Sequence, residues 1–411
     1  MTTPMRFLLA AALAVGAQAA SAAEAARPNV LIIHTDEHNF RTLGCYRARM
    51  PKEQAFVWGE GVAVETPHID ALARRGAVCT RFYAASPVCT PSRASFVTGR
   101  YPQNTGCDEN DKPLHDGLVS FAEALRRQGY ATGYAGKWHL DGRERPGWAP
   151  ARHFGFEDNR YLFNRGHWKQ LEDTEEGPAV KAHNRSGEPT YSVAGADEKS
   201  FTTDFLADKA AAFIAAHRDA PFCYMVSFPD PHGPNSVRPP YDTMYTNFAF
   251  RLPASAEGRG KMEDMARYFG MVKCVDDNVG KLAEALRKAG ILERTIVVFT
   301  SDHGDMCGEH GLVNKGVPYE ASARIPFVVA WPGRIKAGTT VRDALSTVDF
   351  KPTLLGLLGL PPDPSDEGRD ASALLLTGAA PDGWADAVFS RNHAGRWLMA
   401  VSSHHKLIVY P

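Results

Sequence analysis

The segment Asn29-Val30-Leu31-Ile32-Ile33-His34-Thr35-Asp36-Glu37 is a continuous apolar run that ends abruptly in two acids. A strand with one wet face alternates apolar and polar residues, whereas a strand covered on both faces stays apolar along its length. The run therefore reads as an interior strand of a mostly parallel sheet. Residues 295–300 (TIVVFT) repeat the pattern and again lead into an acid, Asp302. Residues 130–135, 221–228 and 326–331 supply further strand candidates. Between them lie amphipathic stretches at 68–76, 118–128 and 261–289, two of which are followed at once by a glycine. Strands alternating with helices predict an α/β fold, a mostly parallel central sheet with helices on both faces. Such sheets bind ligands beyond the carboxyl ends of their strands, which is where the acids sit.

Regular patterning fades between residues 142 and 200 and again between 233 and 255, where Gly, Pro, Asn and charged residues accumulate. Both stretches read as surface loops, the first rimming a cleft. Its aromatic residues, Trp148, Phe154, Phe156, Tyr161, Phe163 and Trp168, read as loop packing before sugar stacking. Past Leu360 a Pro/Asp/Gly-rich linker precedes three short strand candidates at 387–390, 396–402 and 406–410. The expected organisation is a leader at 1–22, a catalytic domain at 27–360, and at 361–411 a linker with a short antiparallel subdomain, either minimal or incomplete.

The leader reading rests on Arg6, the apolar run at 7–17, and Ala20-Ser21-Ala22 before Ala23. The run is short for a bilayer span and ends in small residues, which favours a cleaved signal peptide over an uncleaved anchor. Export to the periplasm or the medium follows, with no membrane association after cleavage. The 411 residues carry 46 Lys plus Arg against 47 Asp plus Glu. That balance gives no global field for nucleic acid, and no nucleic-acid partner is expected. Seven cysteines without a CxxC pair do not form a disulfide scaffold.

Four segments concentrate the chemistry: Asp36-Glu37, Cys89-Thr90-Pro91-Ser92-Arg93, Gly136-Lys137-Trp138-His139 and Ser301-Asp302-His303-Gly304. Acid clusters at the ends of two buried strands repel one another unless a cation lies between them. Spacing alone leaves two readings, a divalent-metal site or two unrelated acid turns, and His303 keeps the metal's identity open. Cys89 opens a helix, where free backbone N–H groups favour an anion, and Arg93 lies one turn on along the same face. The pentad thus reads as an anion site with a thiolate nucleophile, or as a structural cysteine at a helix start. Lys137 and His139 alternate along an extended segment and share a side.

The pentad with its continuation Ala94-Ser95-Phe96-Val97-Thr98-Gly99-Arg100 resembles the first signature of the formylglycine-dependent sulfatases, within the alkaline phosphatase-like superfamily. Residues 129–140 resemble the second signature. Thr66-Pro67-His68-Ile69-Asp70, Pro231-His232-Gly233-Pro234, Ser301-Asp302-His303-Gly304, Gly308-Glu309-His310-Gly311-Leu312 and Lys315 fall in the family's order. The resemblance runs from about residue 28 to about residue 359. It implies the alkaline phosphatase-like fold and oxidation of Cys89 to formylglycine by a dedicated generating enzyme. The hydrated aldehyde then attacks sulfur, the alcohol leaves, and the second hydroxyl expels sulfate. By the same resemblance Asp36, Glu37, Asp302 and His303 hold one divalent metal, calcium in the family. Arg93 and Lys137 hold the nucleophile and sulfate, His139 is the base, and His232 and Lys315 bind sulfate and protonate the leaving oxygen.

Two positions depart from the common pattern. Glu37 stands where an aspartate is usual, and His303 where many members carry asparagine. Glu309 and His310 read either as support for the metal loop or as turn residues, and Cys307 as structural. The implied activity is hydrolysis of a sulfate ester on a small molecule or polysaccharide. Phosphonate monoester or phosphodiester hydrolysis on the same fold, and a non-catalytic glycan-binding protein, are the alternatives.

Overall fold

The computed structural model describes residues 27–392 and 394–411. The expected signal peptide at 1–22 lies outside the described residues. Among the described residues no helix is long and apolar enough to cross a membrane.

Eight strands form the central sheet: β1 (Asn29–Thr35), β2 (Ala77–Cys79), β3 (Ala131–Lys137), β4 (Asp158–Phe163), β5 (Phe222–Ser227), β6 (Thr295–Ser301), β7 (Phe327–Ala330) and β8 (Thr339–Val341), in the order β8-β2-β7-β6-β1-β5-β3-β4. The sheet is mixed and mostly parallel. Only β7 runs against its two neighbours, β6 and β2. β1 lies at the centre as its apolar run requires, parallel to both β5 and β6. Its register sets Thr35 level with Ser301, so Asp36 and Asp302 leave the sheet side by side. β3 joins β5 in parallel with Gly136 level with Ser227, which delivers Lys137 to the same rim.

The period-two alternation of β1 divides the core. Val30 and Ile32 face one apolar layer with Phe96, Phe121 and Phe350, while Leu31 and Ile33 face another with Leu206, Ile214, Val275 and Leu282. All four β1 side chains are fully buried, and each such burial contributes about 1.5–3 kcal/mol. The first layer comes from helices α2 (Cys89–Thr98), α3 (Phe121–Arg126) and α6 (Phe350–Leu357). The second comes from α1 (Pro67–Arg75), α4 (Thr202–Ala216) and α5 (Met265–Lys288). Phe96 of α2 stacks on Phe350 at 3.8 Å between ring centroids, which fixes the helix that carries Cys89. α2 ends at Gly99, whose φ of 70° is the left-handed turn that glycine adopts without strain.

The long helix expected at 261–289 spans Met265–Lys288, capped by the Asp264 side chain. The helix expected at 118–128 shortens to Phe121–Arg126, because Ser120 accepts from Glu123 N and sets the start. The loop expected at 142–200 contains regular structure. β4 adds an edge strand, and Leu171–Thr174 pairs with Gly177–Val180 as a hairpin. β4 (DNRYLF) buries only Leu162 and Phe163 fully, so its polar first half hid the strand pattern. The three strands expected near the C-terminus form an antiparallel sheet over Val388–Arg391, Leu398–Val401 and Lys406–Val409. Val388, Trp397, Met399 and Val401 pack against Tyr83, Ala323 and Ala344.

Candidate active site

All ten expected site residues converge at the carboxyl rim of β1, β3, β5 and β6. Asp36 and Glu37 follow β1, Lys137 ends β3, Asp302 and His303 follow β6, and Cys89 is the first residue of α2. Asp36, Glu37, Lys137, Asp302 and His303 are fully buried, and Arg93 nearly so. Buried charge in this quantity is stable only as a compensated network.

Arg93 organises that network. Its Nε donates to Asp302 Oδ2 at 2.8 Å, one terminal nitrogen donates to Asp36 Oδ2 at 3.2 Å, and the other donates to Lys137 O and Ser227 Oγ at 2.7 and 2.8 Å. Burial lowers the guanidinium, but Asp302 and Asp36 outweigh it and raise it above its ordinary value. Lys137 Nζ donates to Asp36 Oδ2 and lies 2.8 Å from His167 Nε2. Burial and Cys89 push the Asp36 carboxyl up, and Lys137, His232 and Arg93 bring it well below the usual carboxylate range. Gly136 makes this possible. Its φ is 103°, and a Cβ there would sit 2.0 Å from Ser227 O, so only glycine lets β3 close on β5 just before Lys137.

Cys89 Sγ lies 3.1 Å from His303 Nε2 and 3.8 Å from Asp36 Oδ1. Burial opposes ionisation of the thiol, but Lys137, Lys315 and His303 outweigh it and hold the group well below the usual thiol range. His303 is pulled the other way. Burial lowers it, while Asp302 and then Cys89 raise it to about 9. His303 Nδ1 is engaged with Gly304 O at 3.0 Å, which turns Nε2 into the site.

Glu37 Oε2 is 3.0 Å from both Lys315 Nζ and His232 Nε2. Burial raises the Glu37 carboxyl, but His232 and Lys315 bring it down to about 2. Lys315 Nζ and His232 Nε2 are 2.5 Å apart. Burial lowers both groups, but Glu37 raises His232 to about 10, and Cys89 with Glu37 raises Lys315 as well, so Glu37 holds the two cationic groups together. His139 Nε2 is engaged with Asp111 Oδ1 at 2.8 Å, leaving its buried Nδ1 without a protein partner. Glu37, Asp111 and His139 all hold φ between 61° and 65°. Left-handed backbone at residues other than glycine costs roughly 1–2 kcal/mol each, and three such residues meet in one site.

A cation fits here. Asp36, Cys89, Asp302 and His303 each place one donor atom within 4.8 Å of the others. Glu37 Oε1 is buried with no hydrogen-bond partner, the state of an acceptor that lacks its ligand. The Nδ1 contact of His303 to a backbone carbonyl is the support that metal-binding imidazoles commonly have.

Some residues of the site carry no signal in the sequence. His167 stacks face to face on His232 at 3.6 Å and touches Lys137, yet it lies in a stretch without periodicity. Asp111 and Ser227 are likewise tied to the site only by tertiary contact. Lys169 bonds Asp230 Oδ1 at 2.6 Å, and Thr203 bonds Oδ2, which holds the turn before His232. Glu309 instead binds Arg41 at 2.8 Å, and His310 stacks on Tyr319 at 4.1 Å. Cys307 is buried, its thiol pushed up by desolvation and Asp305. Phe156, Phe163 and Trp168 are buried, as loop packing requires.

The sulfatase family model matches residues 28–360. The ulvan-active sulfatase of Formosa agariphila is 33% identical over 377 residues, covering 88% of this chain and 67% of the relative. A solved putative sulfatase from Bacteroides fragilis superposes with a TM-score of 0.73 at 26% identity, covering 94% of this chain and 89% of that one. The phosphonate monoester hydrolase of Agrobacterium radiobacter superposes with a TM-score of 0.69 at 26% identity, covering 93% and 89%. The match over most of its length, with sulfatases among both its sequence relatives and its structural neighbours, makes this chain a member of the sulfatase family and a sulfuric ester hydrolase of alkaline phosphatase-like fold.

Proposed function

We propose that the chain removes sulfate from a sulfated carbohydrate, using a formylglycine made from Cys89 by a generating enzyme, after export to the periplasm or the medium. The observation that carries this reading is the position of Cys89, fully buried at a helix start and 3.1 Å from His303 Nε2 within the acid cluster. The ulvan-active relative supports the carbohydrate class. Asp36, Glu37, Asp302 and His303 would hold one divalent cation, with calcium suited to the carboxylates. When bound, the cation supplies charge that polarises a sulfuryl oxygen and favours an ionised nucleophile.

The side chains divide the remaining work. Arg93 spends its donors on Asp36, Asp302, Ser227 and a carbonyl, so it fixes the carboxylates while adding positive charge below the sulfate. Lys137 reaches the same Asp36 oxygen and faces the sulfate from the β3 side. His139 has its Nε2 engaged by Asp111, which leaves Nδ1 to take a proton from the nucleophile. His232, raised to about 10 beside Glu37 and in contact with Lys315, would give its proton to the leaving alcohol. Residues 27–360 would form the catalytic unit and 361–411 an appended linker and sheet.

Comparing turnover of an aryl sulfate with that of a phosphonate monoester tests the reaction. Sulfate release should dominate. Dominant phosphonate turnover would move the reading to the activity of the Agrobacterium neighbour, and no turnover of either by protein carrying formylglycine would leave a glycan-binding protein.

A further inference from the structure

On the same rim of the sheet, away from the catalytic cluster, the described residues line an open groove of about 580 Å³. Arg49, Arg81, Arg324 and Arg342 line it, with His404 and a single carboxylate, Asp343. Clustered guanidiniums repel one another and are ordinarily neutralised by neighbouring acids. Here they are not. Arg49 spends its donors on Thr340 Oγ1 and Cys45 O, at 3.0 and 2.7 Å, and Arg81 reaches only Ser402 O at 3.4 Å. Arg342 is exposed and makes no ion pair with the described residues. Arg324 lies 3.6 Å from Glu320, but that carboxylate also binds Lys406 at 2.7 Å. The buried Nε of Arg324 has no hydrogen-bond partner. The chain as a whole is nearly neutral, so this excess is local.

Topology places the groove relative to catalysis. β7 is antiparallel to β6 with Phe327 level with Thr300, β2 is antiparallel to β7, and β8 is parallel to β2 with Val341 level with Cys79. Arg81, Arg324 and Arg342 therefore leave the sheet at the rim where Asp36 and Asp302 leave it. Three strand spacings separate β6 from β8, roughly 15 Å. A polymer sulfated on successive units could seat one ester at Cys89 and others here. Guanidinium forks match tetrahedral oxyanions through paired, charge-assisted hydrogen bonds.

We propose that this arginine groove is a second, non-catalytic subsite that binds sulfate groups of a polysaccharide while another ester is cleaved. The proposal rests on the sulfated-carbohydrate reading above. It makes the enzyme prefer long sulfated chains over monomers through KM.

The test uses the full chain with Arg81→Gln and Arg342→Gln together, two side chains outside the catalytic cluster. Binding of a heparin octasaccharide and of its desulfated form is titrated in the Cys89→Ala background, where turnover cannot interfere. Affinity for the sulfated octasaccharide should fall about tenfold or more in the double variant, with no measurable binding of the desulfated form. With Cys89 intact, kcat/KM for an aryl sulfate should be unchanged. Equal octasaccharide affinity with and without the two arginines, or no binding at all, overturns the proposal. Equally tight binding of an oligonucleotide of the same charge overturns it in favour of a general polyanion site. Normal octasaccharide binding without sulfate release from any substrate would count against the catalytic reading alone.

Discussion

His232 and Lys315 meet beside Glu37, and the proposed role of the pair as proton donor predicts a distinction between substrates. An alkyl leaving group needs a proton in the transition state far more than an aryl one does. His232→Ala should therefore lower kcat about 10²–10⁴-fold on an alkyl sulfate and much less on an aryl sulfate. Equal losses on the two would remove the acid role. Glu37 tests the metal. Its unpartnered Oε1 implies that Glu37→Gln weakens cation binding, so titrating calcium into chelator-treated protein should raise Tm less in the variant than in the parent. An identical rise in both would show that Glu37 does not hold the ion. At this scale the acids were legible because each follows an apolar strand, and Cys89 through Arg93 because helix-start chemistry is local. His167, Asp111 and Ser227 were not, since their contacts to Lys137, His139 and Arg93 cross 28 to 134 positions of chain.

Several side chains tie the linker after Leu360 to the body, among them Arg369 on Asp349 and Glu367 on Asn104, and the most buried of the cations is Lys351. Lys351 of α6 is fully buried and binds Asp363 and Asp366 at 2.7 and 2.8 Å, as well as Val119 O at 2.8 Å. Removing one partner of a buried pair strands the others, so Lys351→Met should cost about 3 kcal/mol in urea unfolding. Burial pushes the Asp363 carboxyl up, but hydrogen bonds from Lys351 and Ser365 outweigh it and bring it down to about 2. A depressed carboxyl stabilises the fold fully above its unfolded value, near 4. That contribution is lost as pH falls from about 4 towards 2. Lys351→Met should flatten the acid limb of the stability curve in that window; an unchanged limb would remove Asp363 from the account. Long elements were readable, β1 and β6 from unbroken apolar runs and α5 from its amphipathic pattern. The three-residue strands β2 and β8 were not, because they are too short to show a period and exist only through pairing with β7 and with each other.

Across the whole molecule, the mixed sheet gathers ten residues drawn from positions 36 to 315 onto one rim. The order of the strands, with β6, β1 and β5 adjacent, does this without any of the ten being close in sequence to more than a few others. The pattern of runs and amphipathic stretches foretold the layered fold, but not the antiparallel β7, the edge strand β4 or the hairpin at 171–180. Strand direction within a sheet is set by connections and partners rather than by the strand's own residues. The central claim is that Cys89 becomes the nucleophile, and mass spectrometry of the peptide containing it, from protein produced with a formylglycine-generating enzyme, tests that most directly. The account predicts a loss of about 18 Da relative to cysteine, with a hydrate alongside. An intact thiol, under conditions that convert a control sulfatase, would contradict it.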